Sequence, residues 1–193
     1  MNLQNHQRMP KGRYFKDMVS VHEYIIFFGA MDRNSAQASN DFWTYNSISG
    51  VWKRYQPPIE LGNICNNPKM CVVGNKVYIC GMKYSDNGYP FISSLVSFDF
   101  INATWETLYY YAEDHDNNSL PQMDVSLFFC HKKCLYVVRD RVNHNKPFVI
   151  YKFSMRTSTW SLVQQIGSTP KCKREICGTV FKNHHIPQPN LDE

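Results

Sequence analysis

Apolar and polar positions along the chain follow one pattern, and it recurs. Short apolar runs, EYIIFFGA (residues 23–30), KVYICGM (76–82) and CLYVVRD (134–140), each read as a buried strand. Downstream of each run every second residue is bulky: Trp43 and Tyr45, Val96 and Phe98, Tyr151 and Phe153. A period of two is what a half-buried strand requires, because successive side chains face opposite sides of a sheet. A polar break follows, with Asn46, Ser47 and Gly50 in the first case, Asn102 and Thr104 in the second, and Arg156 to Thr159 in the third. That is turn chemistry between paired strands. Each break leads to a tryptophan: Trp52, Trp105 and Trp160.

The three segments YNSISGVW, FDFINATW and FSMRTSTW share an aromatic residue seven positions before the tryptophan, and the tryptophans stand 53 and 55 residues apart. Self-similarity at a period near 50 residues marks a repeat architecture. Ahead of each apolar run lies a weaker strand, and ahead of that a proline in polar company: Pro10-Lys11-Gly12-Arg13, Pro68-Lys69 and Pro121-Gln122, with Pro170-Lys171 opening a further unit. Proline there marks a loop. One unit is therefore proline loop, strand, tight turn, apolar strand, long loop, alternating strand, turn and tryptophan strand. The expected fold is all-β, with four antiparallel strands per period. A helical fold does not fit, since no long window has a 3.6-residue period. A plain β-sandwich would scatter the tryptophans, whereas here they recur in phase with the strands.

These residues resemble the kelch repeat, in which a strand ends in two glycines, a long loop follows, and an aromatic precedes a tryptophan by about seven positions. The resemblance implies a β-propeller with one four-stranded blade per repeat. It rests on Gly29, Tyr45 and Trp52, on Gly81, Phe98 and Trp105, and on Phe153 and Trp160; the double glycine itself is replaced by Gly29-Ala30, Gly81-Met82 and Arg139-Asp140. Residues 1–9 are expected to be a disordered N-terminal segment. Kelch-like repeats are expected over 10–186 (about 10–64, 65–118, 119–167 and a partial 168–186), with a polar tail over 187–193. Propellers close with about four to eight blades, so three units and the start of a fourth make an incomplete propeller. Open blade edges then invite self-association or a completing chain, and the alternatives are a fragment of a longer propeller or a non-functional truncated kelch protein.

Composition is that of an ordinary globular chain, with 43% hydrophobic and 19% charged residues. The sequence has no run of eighteen apolar residues, and its start, MNLQNHQRMPKGRYFKD, has no signal-peptide core. The expected location is the cytoplasm, with the nucleus as alternative, so the sequons at Asn102 and Asn117 are expected to stay unmodified. The seven cysteines are then expected to be reduced. Cys130/Cys134 and Cys172/Cys177, near His131, His184 and His185, are too loosely spaced for a zinc site, and the expectation is no metal and no cofactor. Enzymes of the galactose oxidase type place tyrosine, histidine and cysteine around copper on a kelch propeller. Tyr109, Tyr110, Tyr111 and His115 read instead as a strand end running into an acidic loop, and no catalytic residue is assigned.

Charge is segregated within a modest net value of +5. In the kelch family the long loop after the glycine pair and the proline loop open on one face. Here the first kind carries Arg33, Lys83, Tyr84, Arg139, Arg141 and His144, and the second Arg13, Lys69 and Lys171 to Arg174. Asp99, Glu106, Glu113, Asp114 and Asp116 gather around the second tryptophan strand. A surface lined by one sign of charge attracts the other, and arginine pairs with carboxylates bidentately. The expected function is a non-enzymatic protein-protein interaction module that binds an acidic peptide or carboxylate-bearing partner through Arg33, Lys69, Lys83, Tyr84, Arg139, Arg141 and Arg174. The resemblance adds a role as the substrate-recognition subunit of a ubiquitin ligase, with any adaptor segment outside this chain. Nucleic-acid binding through the same basic loops is the alternative, although base stacking would rest on Tyr84, Tyr89 and Phe91 alone.

Overall fold

The computed structural model describes residues 13–32, 38–59, 68–84, 88, 90–111, 125–139, 149–167, 178–181 and 184–187. These form fourteen strands: β1 Arg13–Val21, β2 Tyr24–Asp32, β3 Ala38–Asn46, β4 Trp52–Tyr55, β5 Lys69–Val73, β6 Lys76–Tyr84, β7 Pro90–Asp99, β8 Thr104–Tyr110, β9 Val125–His131, β10 Cys134–Arg139, β11 Val149–Ser154, β12 Thr159–Leu162, β13 Gly178–Phe181 and β14 His184–Pro187. They pair in chain order as three four-stranded antiparallel sheets, β1 to β4, β5 to β8 and β9 to β12, and one hairpin, β13–β14. The sheets are three propeller blades, as the repeat predicts. No helix among the described residues is long and apolar enough to cross a membrane.

Register explains the seven-residue spacing. Tyr45 lies directly opposite Trp52, Phe98 opposite Trp105 and Phe153 opposite Trp160, each pair bridging a tight turn between the third and fourth strands of its blade. Their rings lie 4.9, 4.7 and 5.0 Å apart, within the range in which aromatic pairs attract beyond simple burial. A polar side chain closes each turn. Asn46 Oδ1 accepts from the amides of Ile48 and Ser49, Asp99 Oδ1 from those of Ile101 and Asn102, and Ser154 Oγ from that of Thr157. Two residues before each tryptophan the backbone is left-handed, at Gly50 (φ 69°), Ala103 (φ 52°) and Ser158 (φ 53°). Glycine adopts this conformation without strain, so the first turn is the relaxed member of the three.

Residues 1–84 and 92–110 form one compact unit, which holds blades 1 and 2; residues 85–91 and 111–193 form another, which holds blade 3 and the β13–β14 hairpin. In the first unit the core lies between the blades. Ile26, Phe28 and Phe42 of blade 1 meet Met70, Val77, Ile79, Val96 and Phe98 of blade 2, with Trp105, Tyr55 and Phe100 at the margin. In the second unit Leu135, Val137 and Phe153 are fully buried within blade 3, and β13 packs beside β9.

The two blades of the first unit are joined by hydrogen bonds as well as by apolar contact. Asp17 Oδ2 on β1 accepts from the Met70 amide on β5 at 2.5 Å, and its Oδ1 accepts from Met18 at 2.9 Å. Burial holds the Asp17 carboxyl above the usual carboxylate range, against the lowering effect of both amides and of nearby Lys69. His22 Nε2 and Asn75 Oδ1 meet at 2.8 Å between equivalent turns.

Candidate functional site

Antiparallel pairing gives every blade two unlike ends. The short turns after the first and third strands lie at one end, and the long connections after the second and fourth strands lie at the other. Lys69 opens β5, Lys83 and Tyr84 close β6 and Arg139 closes β10, so each stands at the loop end of its own blade. Arg33, Arg141 and Arg174, with His144, lie outside the described residues, and only the backbone of Arg139 is described. Because Lys69 pairs with Cys80, alternation along β6 puts Lys69 and Tyr84 on one face of blade 2. Lys83 lies on the other, with Ile79, which faces blade 1. Tyr84 is 54% exposed, while Lys69 and Lys83 are half-buried.

Sequence reasoning missed Arg54 and Asp41. Asp41 is buried in blade 1, where its Oδ1 accepts from Arg54 Nη2 at 2.5 Å and its Oδ2 accepts from Ser39 Oγ at 2.9 Å. The Arg54 guanidinium is half exposed and sits 6.0 Å from the Trp43 ring. With Gln56, Pro57, Pro58 and Ile59 it borders a cavity of about 600 Å³ at the loop end of the blade. The signal was present in the register: once Tyr45 is set opposite Trp52, Arg54 falls opposite Trp43 and diagonal to Asp41. A buried carboxylate that fixes an arginine at the mouth of a cavity is an arrangement for recognising polar groups by charge and hydrogen bonding.

The other candidate groups fall elsewhere. Cys71 and Cys80 are buried, and Cys130 and Cys134 are half-buried on the β9–β10 hairpin, where burial pushes the Cys130 thiol up. Cys65, Cys172, Cys177 and His115 lie outside the described residues, and His184 and His185 are described as backbone only. Among the described residues no three His, Cys, Asp or Glu side chains gather in a metal-binding arrangement. Tyr109 and Tyr110 end the tryptophan strand β8, and Tyr111 packs against Phe91 at 4.9 Å.

Three four-stranded antiparallel sheets, each with its tryptophan opposite an aromatic residue, define a propeller of repeated blades. Residues 1–186 match the family model of the KLHDC2/KLHL20/DRC7 Kelch-repeats domain, and the chain belongs to the kelch-repeat family. No curated protein matches the sequence. The solved structure titled "Structure of YjhT" is similar at 11% identity and a TM-score of 0.46, over 77% of this chain and 50% of that one, so this chain spans about half the length of that protein.

Proposed function

We propose that this kelch domain binds an acidic peptide, or another carboxylate-bearing protein partner, at the loop ends of its blades, and does so without catalysis. Kelch-repeat domains are generally protein-protein interaction modules. The observation that carries the finer reading is Arg54, held on buried Asp41 beside a cavity at the same blade end as Lys83 and Tyr84. Each charge-assisted hydrogen bond to a carboxylate there contributes roughly 1.5–3 kcal/mol. The same reading places the chain in the cytoplasm or nucleus, as the substrate-recognition subunit of a ubiquitin ligase, with open blade edges available to a completing chain.

A labelled hexaglutamate peptide tests the site. Arg33→Glu combined with Arg139→Glu should weaken its capture by at least about tenfold, on the scale of one lost charge-assisted bond, with the thermal melt reporting that the variant keeps its fold. Arg156→Gln, at an exposed turn of blade 3, is the control and should change neither. Wild-type affinity in the double variant would remove the basic-loop reading. The ligase role requires the chain to co-purify with an adaptor subunit, and purification without one would remove that part alone.

A further inference from the structure

We propose a second binding site at the opposite, turn end of blades 1 and 2, which takes a peptide segment carrying an acidic residue beside a large apolar one. A cavity of about 560 Å³ opens there between the two blades, within the roughly 300–1,000 Å³ of ordinary ligand sites. Its apolar walls are Tyr24, Tyr55 and Phe100. Tyr24 and Phe100 lie 4.5 Å apart, and Tyr55 packs on Phe98 at 4.8 Å, so these walls rest directly on the inter-blade core.

Two charged groups line the same space. Lys53 Nζ sits 4.6 Å from the centre of the Tyr55 ring, and among the described residues its ammonium meets no carboxylate. Glu23 lines the cavity from the first turn, and its carboxylate meets no described cation. Its backbone oxygen is taken up by the amide and hydroxyl of Ser47, each at 2.8 Å. An ammonium over an aromatic face, next to two further rings, suits a carboxylate attached to an apolar body. The Glu23 carboxylate is placed to accept from the N–H donors that a peptide backbone brings with it.

The cavity is preformed. His22 bonds to Asn75 across the blades, Asn46 closes its own turn, and the Phe100 amide donates to the Asn75 oxygen at 2.9 Å. His22 keeps a left-handed backbone (φ 51°), a conformation uncommon outside glycine that the surrounding turn must hold. Around the mouth two equivalent turns lift Ile48 and Ile101 into solvent, 83% and 72% exposed. In blade 3 the equivalent position is Arg156. Paired exposed isoleucines on capped turns extend the apolar surface beyond the cavity, which favours an extended segment over a compact small molecule.

Amide chemical-shift perturbation on the full chain tests this with two probes, acetyl-Glu-Phe-amide and acetyl-Lys-Phe-amide. The acidic probe should shift Tyr24, Asn46, Lys53, Asn75 and Phe100 saturably and bind about tenfold tighter than the basic one, the scale of one charge-assisted bond. Lys53→Glu, at an exposed position, should invert the preference while leaving the melt unchanged. Shifts that gather at the loop ends, equal binding of both probes, or an unchanged preference in the variant would each overturn the proposal. Its fate is independent of the hexaglutamate experiment, which reads the other end of the blades.

Discussion

Blade 1 has two faces made by the same strands, and they are packed by different means. Toward blade 2 it presents Ile26, Phe28 and Phe42, all fully buried, with Phe42 lying 4.9 Å from Phe98 and 5.0 Å from Trp105. On the other face Trp52 is surrounded by rings of its own sheet, Phe27 at 5.3 Å, Trp43 at 6.4 Å and Tyr45 at 4.9 Å, and the face ends at Met18, 59% exposed. The tryptophan of the repeat thus does two jobs. In blade 1 its described contacts are within the sheet, where it staples the hairpin; in blade 2 the equivalent Trp105 also joins its blade to the preceding one. A repeat motif fixes register wherever it occurs, and its contribution to blade association depends on what lies across from it.

The sharpest way to break this comparison is to truncate one ring on each face. Phe42→Ala should cost about 3–5 kcal/mol, as large buried aromatics do, whereas half-buried Trp52→Ala should cost about 1–3 kcal/mol. Urea unfolding measures both, and equal losses would mean the faces are not packed differently. A smaller effect comes from the inter-blade bond of Asp17. Its folded-state pKa lies above the ordinary 3.8, so the folded chain holds this proton more tightly than the unfolded one. Its favourable contribution is complete below the unfolded value and is lost as pH rises through the folded one. Wild-type stability should therefore fall relative to Asp17→Asn as pH rises from about 3.8 upward, and a difference that widens in favour of the wild type would refute the sign. The smallest effect belongs to Lys76 and Glu106, whose ammonium and carboxylate meet at 3.0 Å on the exposed edge of blade 2. Lys76→Ala should cost roughly 0.2–1 kcal/mol, less at high salt, and a larger loss would show that the turn end is held electrostatically.

Much of the blade was legible because its signals are local. Alternation and turn chemistry placed the paired strands, and the aromatic-to-tryptophan spacing marked the turn that the pairs Tyr45–Trp52, Phe98–Trp105 and Phe153–Trp160 bridge. The first turn of blade 3 was harder to read: Lys132 and Lys133 both take positive φ, 46° and 59°, the backbone of a type I′ turn that usually calls for Asn-Gly. Hidden from the sequence were the features that need a neighbouring blade. Asp17 looks like one polar residue in a weak strand until Met70 arrives, and His22 like a turn residue until Asn75 does. Arg54 was obscured for another reason, since an arginine in a short strand ordinarily faces water and its place diagonal to Asp41 follows only once the register of β3 with β4 is set. Of the basic loop residues, the strand-end positions of Lys69, Lys83 and Arg139 follow from the alternation of strand and break.

The two inter-blade bonds carry one further implication, in chain entropy. Asp17 to Met70 and His22 to Asn75 each link residues 53 apart, the spacing of Trp52 and Trp105. Closing a loop of that length costs about 1.8 kcal/mol more than closing the seven-residue span of a tryptophan hairpin, at about 0.6 kcal/mol per doubling. Hairpins therefore close first and cheaply, and blades dock afterwards at a cost that the repeat length sets. Each further blade joined in the same way adds that same increment, however long the chain becomes.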